Sequence, residues 1–314
     1  MRHSTFRQLE VFEAIARLGS FTRAAEELHL TQPTVSMQIK KLTDAAGLPL
    51  IEQLGKRIHL TEAGRELQAY ARTIFQHMDD LEAVLNRIKG LSGGRLRISV
   101  ATTANYFIPT LLGSFARRYP DVTISLDITN RETLLRSLSE NTVDLVIMGQ
   151  PPDEADVEAR AFMENPLVIV APPNHPLAGK KKIPLARLQE ETFLVRESGS
   201  GTRIAMERFF SERKMKLKTG MEIGSNEAIK QSVQAGLGLG LLSRATIEQE
   251  LALKRLVVLD VANFPIMRDW YVVHRKGKRL SAAAEAFKQF MVKESSGLMD
   301  KELRGPSRNK KQNP

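Results

Sequence analysis

Two short stretches of this 314-residue chain carry side chains whose types and spacing suit recognition more than packing. In TQPTVSMQIKKL, Thr31, Gln32, Thr34 and Ser36 offer hydrogen bonds, Pro33 and Met37 offer apolar surface, and Lys40 and Lys41 follow as cations. A glutamine amide can pair bidentately with adenine, hydroxyls bond to several base edges, methyl groups can touch thymine, and lysines neutralise phosphate. In SGSGTR, Ser198 to Arg203, Ser200 and Gly201 precede a hydroxyl at Thr202 and a guanidinium at Arg203. Glycines let backbone N–H groups approach an anion, and a following helix N-terminus adds favourable potential. Ordinary loop and capping chemistry also accounts for this second stretch.

Other chemistries are poorly served. With no cysteine and six scattered histidines, disulfides, thiolate zinc sites and cysteine nucleophiles are excluded and little remains for a histidine metal site, so no metal is expected. GLGLG, Gly236 to Gly240, lies between a helix and a strand, the reverse of the strand-loop-helix order that pyrophosphate binding needs.

Three helical segments must position the first stretch. TFRQLEVFEAIARLG repeats apolar residues at Phe6, Leu9, Phe12 (or Val11), Ala16 and Leu18 and stops at Gly19. Ser20 can cap a second helix with Phe21, Ala24, Ala25 and Leu28 on one face, and Thr31 can cap a third. Proline at position 33 falls in the first turn, where its missing N–H would have no intrahelical partner. At ~100° per residue, Val35, Ile39 and Leu42 share one side of this helix, while Pro33, Ser36, Met37, Lys40, Lys41 and, toward the edge, Thr34 face away. Two short helices, a tight connection and a third helix with a polar, basic outer face form the helix-turn-helix pattern, whose second helix enters the major groove. A core helix with a solvated face is the competing account.

LPLIEQLGKRIHLTEAG then alternates like a hairpin turning at Gly55, with Lys56 and Arg57 at its tip. It reads as a wing reaching DNA backbone, or as a plain two-stranded flap. From Thr61 to about Lys89 a long helix spaces Leu67, Ala71, Ile74, Met78, Leu81, Leu85 and Ile88 by fours and threes, a heptad seam that predicts a dimer. GLSGG, Gly90 to Gly94, breaks it.

Beyond Arg95 strands and helices alternate twice, predicting two α/β halves with mostly parallel sheets. RDWYVVHRK is placed as a strand of the second half. Ligands in such folds sit at strand carboxyl ends beside helix N-termini. That rule selects Thr102, Thr103, Thr129, Asn130 and Gly149 in the first half, and Ser200, Gly201, Thr202, Arg203, Ser225 and Asn226 in the second. The fold class is thus α+β multidomain: a winged helix-turn-helix over 1–60, a dimerising linker helix over 61–90, a two-lobed ligand-binding domain over 91–295, and a polar, basic, disordered tail over 296–314.

Composition agrees with a soluble globular chain, 42% hydrophobic and 26% charged. No apolar run approaches the ~18 residues of a membrane span, and MRHSTFRQLEVFEAIARLGS breaks its apolar residues with charge, so no targeting segment and a cytoplasmic location are expected. The net charge of +10 invites an anionic partner. The first 60 residues hold only 8 basic against 6 acidic residues, so bulk charge does not locate a DNA-binding surface.

In this order of segments the chain resembles the LysR-type transcriptional regulators. The pattern FxxVxxxGSFTxAAxxLxxTQPxVSxQIxxL is visible from Phe12 to Leu42, with Ile15 in the valine position, and LTEAG stands at Leu60 to Gly64. The similarity covers residues 5 to about 290, and TQPTVSMQIKKLTDAAGLPLIEQLGKRIHLTEAG is most similar to the subgroup regulating carbon-fixation (Calvin-cycle, RuBisCO) operons. The resemblance implies a cytoplasmic homotetramer, a dimer of dimers, on double-stranded promoter DNA, with RNA polymerase as a further partner and no cofactor. It also implies a regulatory domain like periplasmic binding proteins, holding a small metabolite between two lobes. Carried over by position, Gln32, Pro33, Thr34, Ser36 and Met37 approach bases, and Lys40, Lys56 and Arg57 the backbone. Thr102, Thr129, Gly149, Ser200, Thr202 and Asn226 serve the effector, which the subgroup implies is a phosphorylated sugar, an organic acid phosphate or reduced nicotinamide. Three positions depart from the family pattern: Thr43 replaces the usual Glu after the recognition helix, and Ile51 and Gln53 replace the usual Phe and Arg of the wing's first strand. Losing that arginine shifts phosphate contact toward Lys56 and Arg57.

Two other classes compete. An enzyme on the two-lobed fold lacks paired histidines or a supported Ser-His-Asp set, and an exported solute-binding protein calls for a signal peptide.

Overall fold

The structure, a computed structural model, describes residues 4–54, 57–88 and 93–304. It forms two compact units that part along the chain at Leu85–Asn86. Among the described residues no helix is long and apolar enough to cross a membrane.

The first unit contains α1 (Phe6–Leu18), α2 (Phe21–Glu27), α3 (Gln32–Ala46), β1 (Ile51–Leu54), β2 (Arg57–Leu60) and α4 (Glu62–Ile88). Hydroxyl caps start the first three helices: Thr5 forms a capping box with Gln8, Ser20 accepts from Arg23 N–H and Thr31 from Thr34 N–H. Gly19 and Gly47 end α1 and α3 in the left-handed region, at φ 62° and 71°, where a Cβ is costly. Val11, Phe12, Ile15, Ala24, Val35, Leu42 and Leu50 fill the core, the larger ones each contributing roughly 1.5–3 kcal/mol relative to exposure. Two α1 positions differ from the sequence reading. Phe6 is exposed, and Ala14 and Ile15 do the packing expected of Ala16, because the buried stripe of α1 runs through Gln8, Leu9, Val11, Phe12, Ala14 and Ile15.

The LTEAG segment has a physical explanation. Thr61 donates its hydroxyl to the Pro49 carbonyl at 2.6 Å and accepts from Gly64 N–H. A Cβ on Gly64 would lie 2.0 Å from the Leu50 carbonyl oxygen. Glycine therefore lets α4 leave against the strand that opens the hairpin. Along α4, Ala71 is fully buried in the core of its own unit and Leu67 packs partly against it. Those two expected dimer-seam residues are thus consumed internally, because the helix must also cover the three-helix core. Ile74, Met78, Leu81 and Leu85 remain exposed. Gly55, Lys56, Lys89 and residues 90–92 of the expected glycine break lie outside the described residues, as do the side chains of Arg57 and Ile88.

The second unit begins with β3 (Gly94–Ala101), α5 (Ile108–Arg118), β4 (Val122–Thr129), α6 (Arg131–Ser139), β5 (Leu145–Met148) and β6 (Val157–Glu164). It continues through β7 (Leu167–Ala171), β8 (Thr192–Arg196), α7 (Gly201–Ser211), β9 (Lys218–Ile223), α8 (Asn226–Gln234) and β10 (Leu239–Ser243). It ends with α9 (Glu248–Ala252), β11 (Val257–Val258), β12 (Asp269–Arg275) and α10 (Ala282–Arg304). One lobe holds the sheet β4-β3-β5-β12-β6 and the other the sheet β11-β7-β10-β8-β9.

Three expectations are corrected. The sheets are mixed: β3 is parallel to β4 and β5 and β8 is parallel to β9 and β10, but β12 runs antiparallel to β5 and β6, and β7 to β10 and β11. RDWYVVHRK belongs to the first lobe, because the chain crosses back after β11 and β12 pairs between β5 and β6. The expected disordered tail is helical up to Arg304. Phe287, Phe290 and Met291 anchor α10 in the first lobe's core, the Ser295 hydroxyl donates to Met291 and Phe162 carbonyls, and strong helix formers carry the helix on. Residues 305–314 lie outside the described residues.

Candidate functional site

In the first unit, α3 divides its residues by face. Val35, Ile39 and Leu42 are buried, whereas Thr31, Gln32, Pro33, Met37, Lys40 and Lys41 are exposed and Thr34 and Ser36 are half-exposed. Thr31 and Thr34 hydroxyls meet at 2.8 Å, and Gln32 Nε2 donates to Ser36 Oγ at 3.1 Å. Self-pairing of this kind orders the polar head of the helix without burying it. The geometry suits insertion of the helix N-terminus into a major groove.

In the second unit a cavity of about 40 Å³ lies where the two lobes meet. At ~10–15 Å³ per water site it holds about three waters or one oxyanion. Strand ends and helix starts surround it. Thr102 and Thr103 follow β3, Thr129 ends β4, Asn130 caps α6 by accepting from Thr133 N–H at 2.9 Å, and Ser200, Gly201 and Thr202 open α7. Eight of the sequence-selected residues therefore come together here: Thr102, Thr103, Thr129, Asn130, Gly149, Ser200, Gly201 and Thr202.

Three others do not line the cavity. Arg203 turns away, because Glu207 at 2.7 Å, Glu222 and the Arg196 carbonyl occupy its guanidinium. The anion fork expected there is already neutralised. Ser225 caps α8 by accepting from Ala228 N–H. Asn226 is buried behind the cavity wall, where its Oδ1 accepts from Arg196 Nη1 at 2.5 Å.

Cations that sequence reasoning missed dominate the lining. Arg131, Arg196 and Arg268 all reach the cavity. Arg196 is 4% exposed; it pairs with Glu197 at 2.7 and 2.8 Å and donates across the lobes to Thr102 Oγ1 at 3.3 Å. Arg131 Nη1 donates to the Gln150 carbonyl at 2.9 Å, and Arg268 Nη1 to the Gly201 carbonyl at 2.7 Å. Neither of these two guanidinia pairs with a carboxylate among the described residues. Burial, then repulsion from Arg131 and Arg208, pulls Arg268 down to about 10, and burial alone lowers Arg131. Gly149 proves to be a space-maker: a Cβ there would lie 2.6 Å from Arg268 Nη2 and push it aside. Arg131 also sits at the positive end of α6, an unfavourable place for a cation. That misplacement, and Arg196 at a strand's carboxyl end, are the signals that could have found them; Arg268 lies in a loop with none.

The cavity lies at the lobe junction. Asn165 N–H donates to the Arg268 carbonyl at 2.6 Å, and Leu167 and Ile266 exchange backbone hydrogen bonds at 2.9 and 3.0 Å. The link from β6 to β7 and the link from β11 to β12 thus run side by side, and both Asn165 and Arg268 line the cavity. The lobes are also tied away from the lining: Tyr106 donates its hydroxyl across the lobes to Glu227 at 2.6 Å, and Lys230 pairs with Glu227 and Glu250, each at 2.8 Å.

A helix-turn-helix unit followed by a two-lobed domain with a cationic cavity defines a DNA-binding regulator with a small-molecule input, and comparison with known proteins gives its family. Residues 6–65 match the family described as bacterial regulatory helix-turn-helix protein, lysR family, and residues 89–296 match the LysR substrate binding domain. The chain belongs to the LysR-type transcriptional regulators.

Its relatives include the RuBisCO operon transcriptional regulator of Allochromatium vinosum, 57% identical over 94% of this chain and 98% of that protein. The HTH-type transcriptional activator CmpR of a Synechocystis strain is 49% identical over 93% and 96%. Among solved structures, the regulatory domain of Synechocystis CcmR in complex with 2-PG is 44% identical, with a TM-score of 0.61 over 64% of this chain and 96% of that one. A full-length OxyR variant from Pseudomonas aeruginosa, 23% identical with a TM-score of 0.73 over 92% and 98%, shares the fold.

Proposed function

We propose that this regulator controls carbon-fixation (RuBisCO) operon transcription in the cytoplasm, and that its effector is a small phosphorylated acid bound in the cationic cavity. One observation carries the effector class: among the described residues, Arg131 and Arg268 line the cavity without carboxylate partners and repel each other. An oxyanion relieves that repulsion and receives bidentate bonds that neutral ligands cannot. The 40 Å³ volume favours an organic acid phosphate over a dinucleotide such as reduced nicotinamide. The relatives' names support the operon assignment, and 2-PG in the CcmR domain supports the ligand class. The site binds and signals, with no turnover.

On DNA, the exposed head of α3 meets base edges, while Lys40 and Lys41 approach phosphate, aided by Lys56 and Arg57. Effector binding at the lobe junction shifts the geometry of a dimer of dimers, and thereby the bend presented to RNA polymerase. The test uses full-length protein and the duplex upstream of a RuBisCO operon. Sequence-dependent retardation is expected at moderate salt, with a footprint and bend that change on adding 2-phosphoglycolate. Retardation equal to that of random duplex would sink the regulatory reading. An identical footprint and bend despite calorimetrically measured binding would sink the effector link.

Dimerisation is assigned to the exposed stripe Ile74, Met78, Leu81 and Leu85. These apolar side chains follow heptad steps and are exposed among the described residues. The double variant Leu81→Glu with Leu85→Glu is expected to weaken self-association at least about tenfold in sedimentation velocity, since each buried leucine contributes roughly 1.5–3 kcal/mol. An unchanged sedimentation profile would move the interface elsewhere.

A further inference from the structure

We propose that the indole N–H of Trp270 donates a hydrogen bond to the bound effector, which makes Trp270 a specificity-determining residue of the cavity. The inference rests on the reading of that cavity as a site for a small phosphorylated acid.

Trp270 is the chain's single tryptophan. It lies on β12, two residues after Arg268, and is 1% exposed, with its ring 5.1 Å from that of Phe107 in the core of the first lobe. It also lines the cavity. Its Nε1–H has no hydrogen-bond partner among the described residues, and of the orphaned buried side-chain atoms there it alone belongs to a cavity-lining residue. Buried indole N–H groups are ordinarily paired, and the group can only donate. A stranded donor on a side chain that lines the cavity therefore calls for an acceptor supplied from inside it. The strand geometry agrees: β12 shifts register against β6 between Trp270 and Tyr271, and bulges of this kind re-aim side chains beside binding sites.

The two donors on this segment have different parts. Arg268 supplies charge, which any small anion satisfies. Trp270 supplies one directed, uncharged donor anchored by core packing, so an effector oxygen must stand where the indole points. A phosphorylated acid, with oxygens at both ends, can fill both roles at once.

The experiment uses full-length protein with ¹⁵N-labelled indole, which gives a single indole cross-peak, titrated with 2-phosphoglycolate while calorimetry follows binding in parallel. The expected result is a downfield shift of the indole proton that saturates with the calorimetric isotherm. Trp270→Phe, which keeps an aromatic ring in the core, is expected to bind at least about tenfold more weakly, the scale of a lost hydrogen bond to a charged group. An indole resonance that stays in place while calorimetry records binding overturns the inference and leaves the cavity reading standing. No binding by the wild-type protein overturns both.

Discussion

Arg268→Met is expected to weaken binding of 2-phosphoglycolate by about a hundredfold or more while leaving affinity for promoter DNA unchanged. The reasoning starts from charge. Arg268 lies partly buried beside Arg131, forms no carboxylate pair among the described residues, and spends one nitrogen on the Gly201 carbonyl. Its remaining donors are therefore free for the ligand, and truncating one partner of a desolvated charge pair commonly costs 2–5 kcal/mol, about 30- to several-thousandfold. Methionine preserves volume and removes the repulsion. The unliganded variant should accordingly melt no lower than wild type, while the rise in melting temperature on adding ligand disappears. Calorimetry and thermal unfolding read the two effects separately. Affinity within threefold of wild type would mean that the anion binds elsewhere.

Ser36→Glu is expected to abolish specific DNA binding, a loss of at least about a hundredfold in retardation at moderate salt. Ser36 stands on the exposed side of α3, one turn beyond Gln32, whose amide it accepts at 3.1 Å. A carboxylate there fills the space of a base edge and meets phosphate charge in a groove where cations are needed. The core contacts of α3 come from Val35, Ile39 and Leu42, so helicity by circular dichroism should stay unchanged. Operator affinity equal to wild type would show that α3 docks by another face.

What could be read ahead of the structure followed physical range. Caps at Ser20 and Thr31, the stop at Gly19 and the buried face of α3 are local, because each depends on residues within about one turn. The first-half pocket threonines were legible because strand carboxyl ends and helix starts are recognisable without knowing the fold. β6 was not: only Phe162 of its eight residues is buried, so it lacks the alternation that marks a half-buried strand. The placement of β12 was invisible for another reason. Apolar alternation reports that a strand is buried and says nothing of its partner. Arg131 and Arg268 become neighbours only through that placement, so the charge centre of the cavity could not be derived from spacing. Arg203 shows the converse error: a good local motif was claimed by Glu222 from a strand that folds beside it.

The return of β12 to the first lobe also sets an order of assembly. The buried core of the three helices draws on residues from Leu9 to Phe75, so this part can fold early, as the chain leaves the ribosome. The first lobe has to wait for a strand and a helix encoded more than a hundred residues after its own beginning, and such distant pairings form slowly. Arg268 and Trp270 arrive with that last strand. A growing or prematurely ended chain would therefore hold a finished DNA reader before it held a working sensor.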